Sequence, residues 1–121
     1  MARVLFVDDR LGEVIRQWEL SGCASNHELL PLEPFDSIER TSQMVKDFQP
    51  DVVLVGYGLG KSDVTGRDVV LALRNEGYQG RIIANSGAGM EQFRRAGVSV
   101  DGSANRRACD LLEIMGNQGR V

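Results

Sequence analysis

Short apolar runs alternate along this chain with stretches whose apolar residues recur every three or four positions. Residues 3–7, Arg-Val-Leu-Phe-Val, are mostly β-branched or aromatic and stop at two aspartates, as a buried strand stops at the rim of a sheet. Leu11, Val14, Ile15 and Trp18 then predict a helix ending near Ser21-Gly22. The stretch His27–Pro34 holds Leu29, Leu30 and Leu32, but Pro31 and Pro34 limit it to an edge strand. Asp36 or Ser37 can cap a helix that puts Ile38, Met44, Val45 and Phe48 on one face and closes at Pro50. Asp51-Val52-Val53-Leu54-Val55 reads as a central strand, apolar on both faces. A glycine-rich loop follows, extending to Thr65-Gly66 because Thr65 and Asp68 have capping-box spacing. The next helix turns Val69, Val70, Ala72 and Leu73 inward and stops at Gly77. Arg81–Asn85 is a fourth strand, and a short helix with Met90 and Phe93 precedes Gly97. Val98-Ser99-Val100 is expected as a weak fifth strand. Ala104, Ala108, Leu111, Leu112 and Met115 define a last helix with Gly116 past its end.

Strands alternating with helices predict an α/β fold: a five-stranded parallel sheet covered on both faces and joined by right-handed crossovers. Residues 1–121 are expected to form one domain, long enough to fold without disulfides or metal. In such sheets chemistry collects beyond the carboxyl ends of the strands, which singles out Asp8, Asp9, Gly56, Ser86 and the residues after Val100.

Charge narrows the function. Lys and Arg number 14 against 17 Asp and Glu, a net charge of −3, and no basic stripe calls for nucleic acid. No apolar run approaches the roughly 18 residues of a membrane span, and the Met1-Ala2-Arg3 start is no signal peptide, so a cytoplasmic protein is expected. Cys23 and Cys109 are far apart with no metal-ligand spacing, and are expected to be buried thiols. His27, the sole histidine, has no second ligand near it and reads as a surface residue.

Asp8 and Asp9 at a strand end repel each other unless a cation joins them, so with a third oxygen ligand they could seat magnesium. Taken alone, the pair reads more readily as solvated loop acids, or as one acid capping the first helix. Arg10 offers partial neutralisation.

Val4-Leu5-Phe6-Val7-Asp8-Asp9, Pro50–Val55 and Ile82-Ile83-Ala84-Asn85-Ser86-Gly87 together resemble the first, third and fourth strands of a response-regulator receiver domain. The resemblance covers essentially the whole chain. It implies a flavodoxin-like (βα)5 three-layer sandwich, two-component signalling, and an acid pocket that binds magnesium and takes a phosphoryl group onto an aspartate after the third strand. Carried over, the metal-binding pair falls on Asp8 and Asp9, the switch hydroxyl on Ser86, and the phosphoacceptor on Gly56. Glycine supplies no nucleophile. Tyr57 should point to the other sheet face and Asp63 stands out in the loop, so neither replaces a carboxylate there. The family's lysine falls at Ala104 within one residue, where Ser103, Ala104 and Asn105 offer no ammonium group.

The resemblance therefore implies an atypical, non-enzymatic receiver that acts by protein contact. No cofactor is required and magnesium binding, if retained, is weak. A sensor kinase or downstream signalling protein is the implied partner, and residues 89–115, which carry Arg94, Arg95, Arg106 and Arg107, are the implied docking or homodimer surface. The alternative is nucleotide or phosphate binding by the Gly56–Ser62 loop, which ends Gly-Lys-Ser but is one residue short of a Walker A loop. Such a cradle needs its helix to begin at Lys61-Ser62, and Thr65-Gly66 makes a later start. Flavin stacking has only Tyr57 and Phe93 near the strand ends, too few for a stacked ring, and Ser86 lacks the elbow and histidine of a hydrolase.

Overall fold

The computed structural model describes residues 2–8, 10–32, 38–59, 64–85 and 89–104. Asp9, the Asp36/Ser37 cap, Gly60–Asp63, Ser86, and the last expected helix with Arg106, Arg107 and Cys109 lie outside the described residues. The elements run β1 (Arg3–Val7), α1 (Leu11–Ser21), β2 (Glu28–Leu32), α2 (Ile38–Phe48), β3 (Val52–Val55), α3 (Gly66–Asn75), β4 (Arg81–Ala84), α4 (Met90–Arg95) and β5 (Gly102–Ser103). All five strands are parallel, in the order β2-β1-β3-β4-β5. The alternation predicts this parallel α/β sheet, and its strand order is the flavodoxin-like one that the resemblance implies.

The period-2 alternation of strand side chains divides the core in two. Val4, Phe6, Val52, Leu54 and Ile83 pack against Val14 and Trp18 of α1. Leu5, Val7, Val53, Val55 and Ile82 pack against Val69, Val70 and Leu73 of α3 and Phe93 of α4. Phe6 and Trp18 meet edge to face at 5.9 Å, an arrangement aromatic pairs favour beyond their buried area. β2 is an edge strand, as Pro31 requires, and Gly22 closes α1 in the left-handed conformation at φ 82°.

Several details depart from the sequence pattern. The fifth strand is Gly102–Ser103 rather than Val98–Val100. Pairing with β4 decides it: Asp101 N–H donates to the Ile82 carbonyl at 2.7 Å, and Ile83 and Ala84 then face Gly102 and Ser103. Val98 is buried in the core instead, so β-propensity yields to register. On α2 the most buried side chains are Thr41 and Ser42, with Met44 and Val45 only half-buried. Met90 is exposed while Phe93 is buried.

His27 is half-buried rather than a surface residue. Its Nδ1 accepts the Ala2 N–H at 2.9 Å and its ring packs on Trp18. Burial, and then the nearby chain amino group, lower its pKa below 6.5. Cys23 is a buried free thiol, as expected, and burial raises its pKa.

At the amino rim of the sheet, polar side chains finish what the strand ladders leave open. Asp51 Oδ2 accepts Arg3 N–H at 2.8 Å, and Asp101 Oδ2 accepts both Ile82 N–H at 2.8 Å and the Arg74 guanidinium at 2.7 Å. Tyr78 donates its hydroxyl to the Pro50 carbonyl at 2.9 Å. Among the described residues no helix is long and apolar enough to cross a membrane.

Candidate functional site

From β1 the chain crosses to β2 on one side of the sheet, and from β3 to β4 on the other. The carboxyl ends of β1 and β3 therefore flank the switch point, where open α/β sheets leave a crevice. Val7 stands opposite Val55, and Gly56 N–H continues the ladder to the Val7 carbonyl at 2.9 Å, which brings Asp8 beside Gly56. Val55 stands opposite Ala84, and Asn85 N–H donates to the Val55 carbonyl at 2.8 Å. Ala104 N–H donates to the Ala84 carbonyl at 2.8 Å. Asp8, Gly56, Asn85 and Ala104 thus form one transverse row on the face that carries Phe6, Leu54 and Ile83. Asn85, 1% exposed, is a buried polar member of the row that sequence reading passed over; its position directly after an apolar strand was the available signal.

Asp8 is equally buried, 1% exposed. Its Oδ1 accepts the backbone N–H of Arg10 at 2.9 Å, just where α1 begins. The contact between Arg10 and Asp8 is thus made by the backbone, while the Arg10 guanidinium lies 3.9 Å from Glu13. The Asp8 carboxylate also lies over the Cα of Gly56. A Cβ at Gly56 would stand 2.7 Å from Asp8 Oδ2 and 3.0 Å from Cγ, closer than such atoms pack.

The far side of Gly56 is closed as well. Gly66, the first residue of α3, lies so close that a Cβ there would collide with the Gly56 carbonyl oxygen and come 2.8 Å from Phe93 Cζ. Gly66 N–H donates to the Tyr57 carbonyl at 2.7 Å. Tyr57 turns to the opposite sheet face, as its alternation predicts, and meets Phe93 edge to face at 5.2 Å.

This loop geometry bears on phosphate binding. α3 starts at Gly66 rather than at Lys61-Ser62, and the Asp68 carboxylate accepts Thr65 N–H at 3.0 Å in the predicted capping box. The N–H groups of Thr65, Gly66 and Asp68 at this helix start already have partners, which weighs against a phosphate cradle there.

Magnesium wants several oxygens in near-octahedral array. Among the described residues, no group of three His, Cys, Asp or Glu side chains is close enough to hold a metal. The row supplies one carboxylate, and that is already held between Arg10 N–H and Gly56. By themselves the described residues do not complete a magnesium site.

No family model and no curated protein matches the sequence. Solved structures do. A DNA-binding response regulator of the LuxR family from Staphylococcus aureus superimposes with a TM-score of 0.74 at 17% identity, covering 98% of each chain. The receiver domain of NtrX from Brucella abortus gives a TM-score of 0.72 at 18% identity, covering 95% of this chain and 96% of that one. This chain has the receiver-domain fold. A cobalamin-binding protein from Desulfitobacterium hafniense DCB-2 also matches, with a TM-score of 0.74 at 21% identity over 97% of this chain and 58% of that one. The receiver fold is thus shared with a protein described by a different ligand, and chemistry must be read from the site. In this receiver fold, register brings Asp8 and Gly56 into contact and puts Ala104 at the end of the same row, whereas Asp9 and Ser86 are outside the described residues.

Proposed function

We propose that this chain is a signalling module of two-component type that works through protein contact and does not carry an aspartyl phosphate. The observation behind this is Gly56. Aspartyl phosphorylation needs a carboxylate oxygen to hold the phosphoryl group covalently, since metal and hydroxyl groups only stabilise what a nucleophile holds. At the carboxyl end of β3, the position equivalent to the phosphoacceptor, this chain has no side chain. Tyr57 is on the opposite face against Phe93. On this reading Ser86 is a switch hydroxyl left without its phosphoryl group, Asp8 and Asp9 are a vestigial metal pair of weak affinity, and the protein is not an enzyme.

Its partner is a sensor kinase or a downstream signalling protein in the cytoplasm, docking on residues 89–115, or a second copy using the same surface. Within the described part of that surface, Met90, Arg94, Val98, Ser99 and Val100 line a shallow cavity of about 140 Å³, a mixture of apolar wall and one guanidinium. That mixture suits a protein side chain better than a free nucleotide.

Incubation with acetyl phosphate and magnesium, read by intact mass, tests the reading. No phosphoryl adduct is expected. A hydroxylamine-labile adduct on the unaltered chain would overturn it.

A further inference from the structure

We infer that position 56 is closed to a side chain, because the Asp8 carboxylate fills the volume that a residue there would need. This rests on the proposed reading of Gly56 as the acceptor-equivalent position, and it deepens it: Gly56 is not a single lesion that an aspartate would repair. Asp8 is then part of the packing around Gly56.

Four observations carry this. Among the described residues the positive-φ glycines are Gly22, Gly77, Gly89 and Gly97, and Gly56 is not one of them, so its backbone would accept any residue. What bars a side chain is contact: 2.7 Å to Asp8 Oδ2 and 3.0 Å to its Cγ. Asp8 cannot swing away freely, because its Oδ1 holds Arg10 N–H at 2.9 Å at the start of α1. Backward movement of the Gly56 segment is blocked too, since its carbonyl lies against Gly66, which Phe93 backs. An aspartate at 56 would meet the clash and add a second carboxylate beside a buried one, where like charges oppose ionisation.

The test is a mutant cycle between the two positions. Gly56→Ala should lower Tm by roughly 5–10 °C, the ordinary range for overpacking in a domain of this size. In an Asp8→Ala background the same change should cost less than half of that, a non-additivity that marks direct contact. Asp8→Ser serves as a second background that keeps an acceptor for Arg10 N–H. Gly56→Asp should be less stable than Gly56→Ala and should gain no thermal shift from millimolar magnesium.

Equal cost of Gly56→Ala with and without Asp8 would overturn the inference. So would magnesium-dependent stabilisation of Gly56→Asp. Should Gly56→Ala fail to fold, folding of the Asp8→Ala/Gly56→Ala pair supports the inference, and failure of the pair where Asp8→Ala alone folds overturns it. The functional proposal fails separately, by phosphorylation of the unaltered chain, and that result leaves the coupling between Asp8 and Gly56 as measured.

Discussion

The two ends of this sheet use acidic residues in opposite ways. At the amino end, Asp51 and Asp101 reach across to strand amides and to Arg74, in half-open surroundings where each oxygen replaces a missing ladder partner. At the carboxyl end, Asp8 is buried, anchored to the Arg10 backbone amide, and pressed against a residue with no side chain. The amino-end acids complete a sheet. The carboxyl-end acid fills a gap at the one place where this topology leaves a crevice. Position in the topology, and not residue type, separates scaffold from candidate site.

The largest test of the contrast is Gly66→Ala. Its Cβ would strike the Gly56 carbonyl and the Phe93 ring, neither of which is the free end of a flexible chain. A loss of about 3 kcal/mol is expected in urea denaturation. A change below about 0.5 kcal/mol would mean that the carboxyl end is looser than its contacts indicate.

Next comes Asp101→Ala, which leaves Ile82 N–H without its acceptor and leaves Arg74 with its bonds to the Tyr78 and Gly80 carbonyls. It should cost about 1–3 kcal/mol, with Asp101→Asn recovering part by keeping an oxygen for the amide. If Asn and Ala were equal, the guanidinium contact alone would account for the effect, and the amino end would be a charge pair and not a cap.

Tyr78→Phe should cost about 1 kcal/mol through loss of the bond to the Pro50 carbonyl. It also carries a pH signature. Burial, and then the charge of Asp51, push the Tyr78 phenol well above its usual 10, so its contribution is complete below pH 10 and is lost as pH rises beyond it. The Phe variant should therefore show a flatter alkaline limb.

The smallest effect belongs to His27. Its pKa is lowered, so the folded chain favours the neutral ring: the contribution is complete above pH 6.5 and declines as pH falls through the lowered value. His27→Gln should flatten this acid limb in a stability–pH profile. An unchanged limb would assign it to carboxylates instead.

Much of the architecture was legible because burial writes itself into composition. Val52–Val55 had to be central because no solvent-facing polar residue interrupts it, and Pro31 had to sit on an edge. Thr65 and Asp68 announced the start of α3 four residues past Ser62, which already weighed against a phosphate cradle. Other features were not legible. Val98–Val100 has the better β-propensity, yet Asp101 fixes the register and moves the strand on to Gly102. Thr41 and Ser42 outrank their apolar neighbours in burial, which the apolar pattern of α2 did not indicate. His27 looked solitary, and its partners Ala2 and Trp18 come from elements distant in sequence.

By itself, the sequence determined the order of strands and helices, the parallel sheet they must form, and the absence of a carboxylate at position 56, because these follow from local patterns of size and polarity. Only the tertiary structure decided that Asp8 occupies the space over Gly56, that Gly66 closes it from behind, and that Asn85 joins the same row. Those facts depend on register between strands some 50 residues apart, and register is a property of the packed sheet.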